Sequence, residues 1–303
     1  NLDQSIFDLY TEAKIASLDF TFDGETYLKN KEVDADLITK INTNSLAFVF
    51  QQNDLKINKL PISFIGKMNF LRDGYDVNLK IESNNSRLND VFTALPPEYV
   101  TWIEKTKVKG RTDLLLTFKG NYNASLNKKP DLAFAMNIRE GSIAYSDSPF
   151  VTSNISLKFK TVLPYLDTEN LIVDLDTLHF NIGEDYLSAK INSKGIKNMV
   201  LFADLKSKLD LSKLSRSVGI DGLDFKGNLT ASVKAKGEYN AEKKLFPVTA
   251  GVISLQNGEV KTEYYPNPIT DIKFVGAVKN ETGKFKDVDI QLNPASFVFE
   301  GKP

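Results

Sequence analysis

Apolar and polar residues alternate with a period of two along most of this chain. In one such run, Tyr75, Val77, Leu79 and Ile81 are separated by polar residues. Successive side chains of a β-strand point to opposite faces, so this period predicts strands with one buried face and one wet face. The pattern therefore predicts an all-β protein made of antiparallel strands.

Glycine-containing dipeptides punctuate these runs. Gly adopts positive φ without steric cost, so such pairs favour tight antiparallel hairpins. The sequence predicts turns at Asp23-Gly24, Asp73-Gly74, Glu140-Gly141 and Asn257-Gly258.

Three segments have features of helices. Ser5 to Ser17 carries Ile6, Leu9, Tyr10 and Ala13 at helical spacing. Arg87 to about Thr106 is interrupted by Pro96-Pro97, which suits the start of a second short helix. Asp210 is suited to N-cap a helix that ends at Gly219.

The chain also repeats itself at a constant offset of 117 residues. Gly110, Gly120 and Pro130 correspond to Gly227, Gly237 and Pro247 (227−110, 237−120 and 247−130). The segment "KGNYNA" at 119–124 aligns with "KGEYNA" at 236–241 without a gap. A shared offset over several turns and both strand phases predicts an internal structural repeat.

Repeats of this kind stack along an axis and extend one sheet. We therefore expect an elongated, curled antiparallel sheet that forms a groove, with a few short helices. The expected organisation is one continuous domain over 1–303, with repeat units at about 87–205 and 210–303 and a partial unit at 1–86.

The apolar rows are the candidate functional surface. We predict that they line the groove, and the predicted lining residues are Leu114, Leu116, Phe118, Leu132, Phe134, Met136, Ile138, Ile155, Leu157, Phe159, Val233, Ile253, Leu255, Ile272 and Phe274. Asp113, Thr117 and Asn137 fall on the opposite phase and are expected to point outward. The same alternation would also suit the core of a β-sandwich.

Composition and candidate chemistry narrow the function. The 303 residues carry a formal charge of −1, which gives no electrostatic reason to bind nucleic acid. The sequence has no cysteine and one histidine, His179, which lies outside any nucleophile motif. Asp174 and Asp176 share one face and are expected to form an acidic solvent face. We predict no catalytic residue, metal or cofactor.

Ordered motifs carry a family resemblance. They are "LPPEYVTWIEKTKVKGRTDLLLTFKGNYN" and "PDLAFAMNIREGSIAYSDSPFVTSNIS", and in the second copy "FKGNLTASVKAKGEYN" and "PVTAGVISLQNGEVKTEYYPNPITDIKF". Their order resembles the AsmA-like family of bacterial envelope proteins, which includes TamB-like relatives. The nearest form is that of Bacteroidetes-type bacteria. The resemblance covers most of 18–303.

This resemblance implies a protein in the periplasm, anchored in the inner membrane by an N-terminal helix. The implied role is phospholipid transport toward the outer membrane, or outer-membrane biogenesis, with phospholipid or another acyl-chain lipid as the ligand. The chain begins at Asn1, so we expect a fragment or a processed form whose anchor lies upstream. Two other classes stay open: an assembly factor for outer-membrane proteins, and a β-sandwich binding or adhesin module.

Overall fold

The protein is described by a computed structural model that covers residues 5–22, 24–96, 100–219, 223–262 and 265–301. Strands dominate these residues. They are β1 (Ile6–Phe22), β2 (Glu25–Asn42), β3 (Ala47–Ile57), β4 (Leu60–Leu71), β5 (Gly74–Arg87), β6 (Thr106–Asn123), β7 (Asp131–Tyr145), β8 (Val151–Leu163), β9 (Ile172–Ile182), β10 (Asp185–Lys194), β11 (Asn198–Asp210), β12 (Leu223–Asn240), β13 (Val248–Thr262), β14 (Tyr265–Asn280) and β15 (Asp289–Phe299).

Within these described ranges, three short α-helices interrupt the strands: α1 (Leu88–Ala94), α2 (Val100–Glu104) and α3 (Leu211–Val218). All fifteen strands belong to one sheet, and their order in the sheet is their order in the chain. Neighbouring strands pair antiparallel, as in β4 with β5 and β12 with β13. The prediction of an antiparallel all-β fold with a few short helices is confirmed.

The chain forms two compact units. The first unit comprises Asn1–Glu104, Lys109–Ile138 and Lys160–Asn170. The second unit comprises Lys105–Val108, Arg139–Phe159 and Leu171–Pro303. The first unit contains β1 to β5 and most of β6, and the second contains β9 to β15.

The strand boundaries repeat at the predicted offset. Adding 117 to the bounds of β6, β7 and β9 gives the bounds of β12, β13 and β15. The backbone repeats as well, because Gly120 and Gly237 have φ of 137° and 141°. The turn after each long strand is also shared: Asn123 bridges Lys128, and Asn240 bridges Leu245. The predicted repeat of antiparallel β structure is therefore present.

Two of the four predicted turns are wrong. Glu140-Gly141 lies within β7, and Asn257-Gly258 lies within β13. Glu140 and Asn257 have φ of 52° and 53°, and the register of β13 shifts between Leu255 and Gly258. At Asn257 the positive φ belongs to a β-bulge within the strand and not to a hairpin turn. Asp73-Gly74 does lie at the junction of β4 and β5, while Asp23 is outside the described residues.

The first predicted helix is also wrong, because Ser5 to Ser17 belongs almost entirely to β1. The other helices are confirmed. The segment after Arg87 forms α1 and α2, which lie on either side of Pro96 and Pro97 in the sequence. Pro97 itself is outside the described residues. In α3 the side chain of Asp210 accepts hydrogen bonds from the backbone N–H groups of Ser212 and Lys213. Gly219 ends the helix in the left-handed conformation.

Candidate functional site

The second unit has one face whose side chains are apolar from strand to strand. Residues directly opposite each other in paired strands share a face. One row crosses seven strands with an apolar residue or glycine in every position: Leu178, Ala189, Leu205, Val233, Gly251, Val278 and Ile290. The next row is Phe180, Leu187, Ser207, Ala231, Ile253, Gly276 and Leu292. These rows and the residues of the same phase are the second-unit apolar face.

The first unit has an equivalent surface, built from different sequence. Two of its rows cross β1 to β6. They are Phe7, Ile41, Phe48, Met68, Val77 and Gly120, and Leu9, Thr39, Phe50, Gly66, Leu79 and Phe118. Aromatic rings contact each other on this side, as in Phe50 and Phe64, whose centroids are 5.4 Å apart. We call these rows, together with the other residues of the same phase, the first-unit apolar face.

The predicted groove-lining residues of β6, β12, β13 and β14 lie on these two faces. Leu114, Leu116 and Phe118 stand opposite Ser83, Ile81 and Leu79 in the first unit. In the second unit, Val233 stands opposite Gly251, and the other four residues share its face: Ile253, Leu255, Ile272 and Phe274. Thr117, which was predicted to point outward, pairs with Lys80 on the opposite face.

Side-chain hydrogen bonds place the predicted residues of β7 and β8. The amide of Asn137 donates to Asp113 at 3.3 Å, so these two side chains share the polar face of the first unit. The alternate phase of β7, which is Leu132, Phe134, Met136 and Ile138, therefore points to the apolar side. In β8, Lys158 donates to Asp176 at 3.1 Å on the polar face of the second unit. Ile155, Leu157 and Phe159 alternate with Lys158 along β8 and therefore lie on the face opposite to it.

A helix covers one end of each apolar face. In the second unit, Lys213 of α3 forms a 3.2 Å ion pair with Asp185, at the start of β10. In the first unit, the ammonium of Lys31 donates to the carbonyl of Thr93 in α1 at 2.9 Å. Burial beneath this helix lowers the pKa of Lys31, because desolvation disfavours the charged form.

Several apolar side chains away from these helices stay accessible, whereas Val77 and Ala189 are buried. Ile182 and Leu209, which lie near α3, are 1% and 3% exposed. Ile253, in the middle of β13, is 37% exposed, and Leu292 at the edge is 59% exposed. Apolar side chains on the same face therefore differ strongly in their contact with water. Those at the strand ends near α3 are buried, and a mid-strand side chain such as Ile253 is partly exposed.

The opposite face of the second unit carries charged rows, with exposed valines such as Val200 and Val252 among them. One row on it runs from Lys190 through Asp204 and Lys234 to Ala250 and then to Lys279 and Asp289. Lys190 and Lys158 both donate to the carboxylate of Asp176, at 2.9 and 3.1 Å. These two hydrogen bonds lower the pKa of Asp176 below its ordinary range, and the one from Lys190 has the larger effect.

The candidate chemical residues lie on this charged face. His179 Nε2 is 3.1 Å from Asn181 Oδ1. Asp174 accepts a hydrogen bond from the amide of Asn192, so both acidic residues of the pair have partners within the protein. Among the described residues, no group of three or more His, Cys, Asp or Glu side chains is arranged to hold a metal ion.

Sequence reasoning missed most of the first-unit apolar face. Phe7, Leu9 and Ile15 of β1 and Phe48 and Phe50 of β3 all lie on it. The signal was present in β1, because Phe7, Leu9, Ala13 and Ile15 share one phase and the charged residues Asp8, Glu12 and Lys14 share the other. Within the described stretches of the chain, no helix is long and apolar enough to span a membrane.

Comparisons with family models, with curated proteins and with solved structures found no match to this chain. The apolar faces themselves are therefore the basis for a functional proposal, together with the resemblance that the motifs carry.

Proposed function

We propose that this protein shields the acyl chains of phospholipids on its apolar faces, without catalysis, and takes part in phospholipid transport between the inner and outer membranes or in outer-membrane biogenesis. The observation that carries the proposal is the contrast between the two faces of one sheet. Apolar rows cross seven strands of the second unit, while the reverse side carries lysine–carboxylate pairs.

Energetics favour such a ligand. Exposing a sixteen-carbon acyl chain to water costs on the order of 12 kcal/mol, at about 0.8 kcal/mol per CH₂ group. Side chains such as Ile253 and Leu292 are also partly in contact with water. Covering them with an acyl chain removes apolar area of both partners from water, so each contributes to binding.

The dimensions of the second-unit apolar face suit an acyl chain. Strands lie about 4.8 Å apart, so the row across the seven strands β9 to β15 is about 29 Å long. One leaflet of hydrocarbon is about 15 Å thick, half of a bilayer core. An acyl chain can therefore lie along a row and stay on apolar side chains over its whole length.

The cellular setting of the proposal comes from the motif resemblance to AsmA-like envelope proteins. In that setting the protein works in the periplasm, and the full-length chain is anchored in the inner membrane. A surface that offers apolar contacts of similar strength along a row provides no deep trap, so a lipid can move along it. No reacting group is needed for such movement.

The experiment is a titration with a phosphatidylethanolamine that carries a fluorescent group on one acyl chain. We predict that Ile253→Asp weakens binding by about tenfold, because an ionised carboxylate must lose hydration when an acyl chain covers it. Ile253 is 37% exposed, so we expect the variant to fold, as checked by circular dichroism.

Val252→Asp is the matched control. Val252 is the preceding residue of β13, is 49% exposed, and pairs with Ser232 on the charged face. We expect binding within about twofold of the unchanged protein, since the acyl chain does not cover this side. Equal binding by both folded variants would show that the apolar face does not hold the lipid.

A further inference from the structure

Three described turns of the second unit share one pattern of residues. They join β10 to β11, β12 to β13 and β14 to β15, and they lie at the same end of the strands because alternate connections of an antiparallel sheet fall on the same side. Each turn carries an apolar residue beside two lysines: Ile196 with Lys194 and Lys197, Leu245 with Lys243 and Lys244, and Phe285 with Lys284 and Lys286. We call these nine residues the lysine tips.

The lysine tips are in contact with water. All six lysines are exposed. Ile196 and Phe285 are 48% and 52% exposed, and Leu245 is half-buried. Lys243 lies 4.0 Å from Glu238, and both side chains of this pair are exposed enough for salt to screen it. Basic groups and apolar groups are therefore presented to solvent side by side.

Hydrogen bonds join the three turns to one another. The backbone N–H of Phe285 donates to the carbonyl of Lys244 at 2.9 Å, and the ring of Phe285 stands edge-on to that of Phe246 with centroids 5.9 Å apart. The side-chain amide of Asn240, at the end of β12, donates to the side chain of Asn198, at the start of β11. The tips therefore form one connected surface.

The internal repeat shows that this chemistry is not needed to build the turn. A short 3₁₀ helix, Phe285–Asp287, has its equivalent in the first copy at Thr168–Asn170 (285−117 and 287−117). At three consecutive positions the first copy has other residues: Asp167, Thr168 and Glu169 replace Lys284, Phe285 and Lys286. The same turn forms with carboxylates in place of both lysines and without the aromatic ring.

Positive charge is concentrated at this end of the second unit. The tip segments 194–197, 241–247 and 281–288 contain six lysines and three acidic residues, a net charge of +3 (6−3), whereas the whole chain carries −1. Two of the three acidic residues are engaged within the protein. Glu281 forms a 2.8 Å ion pair with Lys279, and Asp287 accepts a 2.6 Å hydrogen bond from the hydroxyl of Thr282.

We propose that the lysine tips dock this end of the second unit onto the surface of a bilayer that contains anionic phospholipid. Lysines near such a surface are attracted to its negative charge. The exposed side chains of Ile196 and Phe285 insert among the headgroups, because apolar area that enters the interface adds to this attraction. An exposed isoleucine gains nothing from the phosphate backbone of a nucleic acid, so the apolar part of the pattern favours a bilayer.

This docking uses the turns and not the apolar faces, so it stands apart from the binding of acyl chains. Ile253→Asp should therefore leave docking unchanged. A variant that loses docking should still bind the fluorescent phosphatidylethanolamine. The two proposals can fail separately.

The test is sedimentation of the full chain with phosphatidylcholine vesicles that contain or lack phosphatidylglycerol. We expect binding to the vesicles with phosphatidylglycerol, weakened by salt. Lys284→Asp, Phe285→Thr and Lys286→Glu together give the turn the sequence of its first copy, so we expect this variant to fold. It should bind these vesicles about thirtyfold or more weakly, since each lysine near an anionic surface contributes to binding.

Lys206→Glu with Lys208→Glu is the control, because it removes the same charge from exposed lysines within β11, away from the turns. We expect its binding to stay within about threefold of the unchanged protein. The proposal is overturned if the folded triple variant binds as well as this control, or if phosphatidylglycerol makes no difference. It is also overturned if a single-stranded oligonucleotide displaces the vesicles, since nucleic acid would then be the occupant.

Discussion

Asp176 shows how single residues hold the charged side of the sheet. Its carboxylate accepts from Lys190 and from Lys158, which belong to the strands on either side of β9. Both ammonium groups favour the ionised form, so the pKa of Asp176 is lowered. The residue is at the surface, so salt screens these interactions and their contribution to stability is small.

A titration of Asp176 by NMR tests this arrangement. A carboxyl whose folded pKa is depressed stabilises the fold above its unfolded pKa of about 3.9, and this stabilisation is lost as the pH falls through the folded pKa. We expect a midpoint below the ordinary value of an aspartate, and Lys190→Met should raise it toward that value. Lys194→Met, on the same strand, should leave the midpoint in place. An ordinary midpoint in the unchanged protein would contradict the two-lysine contact.

At the scale of elements, glycines at equivalent positions of the repeat have the same backbone role. A Cβ on Gly120 would lie 3.0 Å from the Cα of Pro130, and one on Gly237 would lie 3.3 Å from the Cα of Pro247. Their φ values of 137° and 141° are also ones that side chains other than glycine rarely adopt.

We therefore predict that Gly120→Ala and Gly237→Ala each lower the free energy of unfolding by about 1–3 kcal/mol. The effects should agree within about 1 kcal/mol, since the two backbones are alike. Gly276→Ala is the control, because its Cβ would meet nothing closer than 3.8 Å, and we expect little change. Denaturant unfolding gives all three values. A cost at one glycine and none at the other would mean that the copies differ in solution.

The strands and helices also show which features of the fold can be predicted from the sequence. The period of two predicts the strands, and the offset of 117 carries the bounds of β6, β7 and β9 onto those of β12, β13 and β15. Capping chemistry is local, so Asp210 and Gly219 mark both ends of α3. These predictions succeed because each depends on residues close together in the chain or on a direct comparison of two segments.

Other features depend on pairing that a single sequence does not display. β1 contains Ile6, Leu9, Tyr10 and Ala13 at helical spacing, but its pairing with β2 over most of its length decides in favour of a strand. Asn257-Gly258 has the chemistry of a turn, and only the register shows that the chain continues through a bulge.

At the scale of the whole molecule, we propose that phospholipid occupies the apolar faces. Apolar rows on both units are what this claim requires. A sheet with a charged reverse side and an accessible apolar side exposes hydrocarbon to water unless a ligand covers it.

Native mass spectrometry of gently purified protein tests this claim most directly. The account predicts mass adducts equal to intact phospholipid, released on activation in the gas phase, and lost or strongly reduced in folded Phe274→Asp, which places a charge on the second-unit apolar face. Val275→Asp, on the other phase of β14, should keep the adducts. A protein that stays free of lipid after incubation with phospholipid vesicles would contradict the account, as would adducts that persist unchanged in Phe274→Asp.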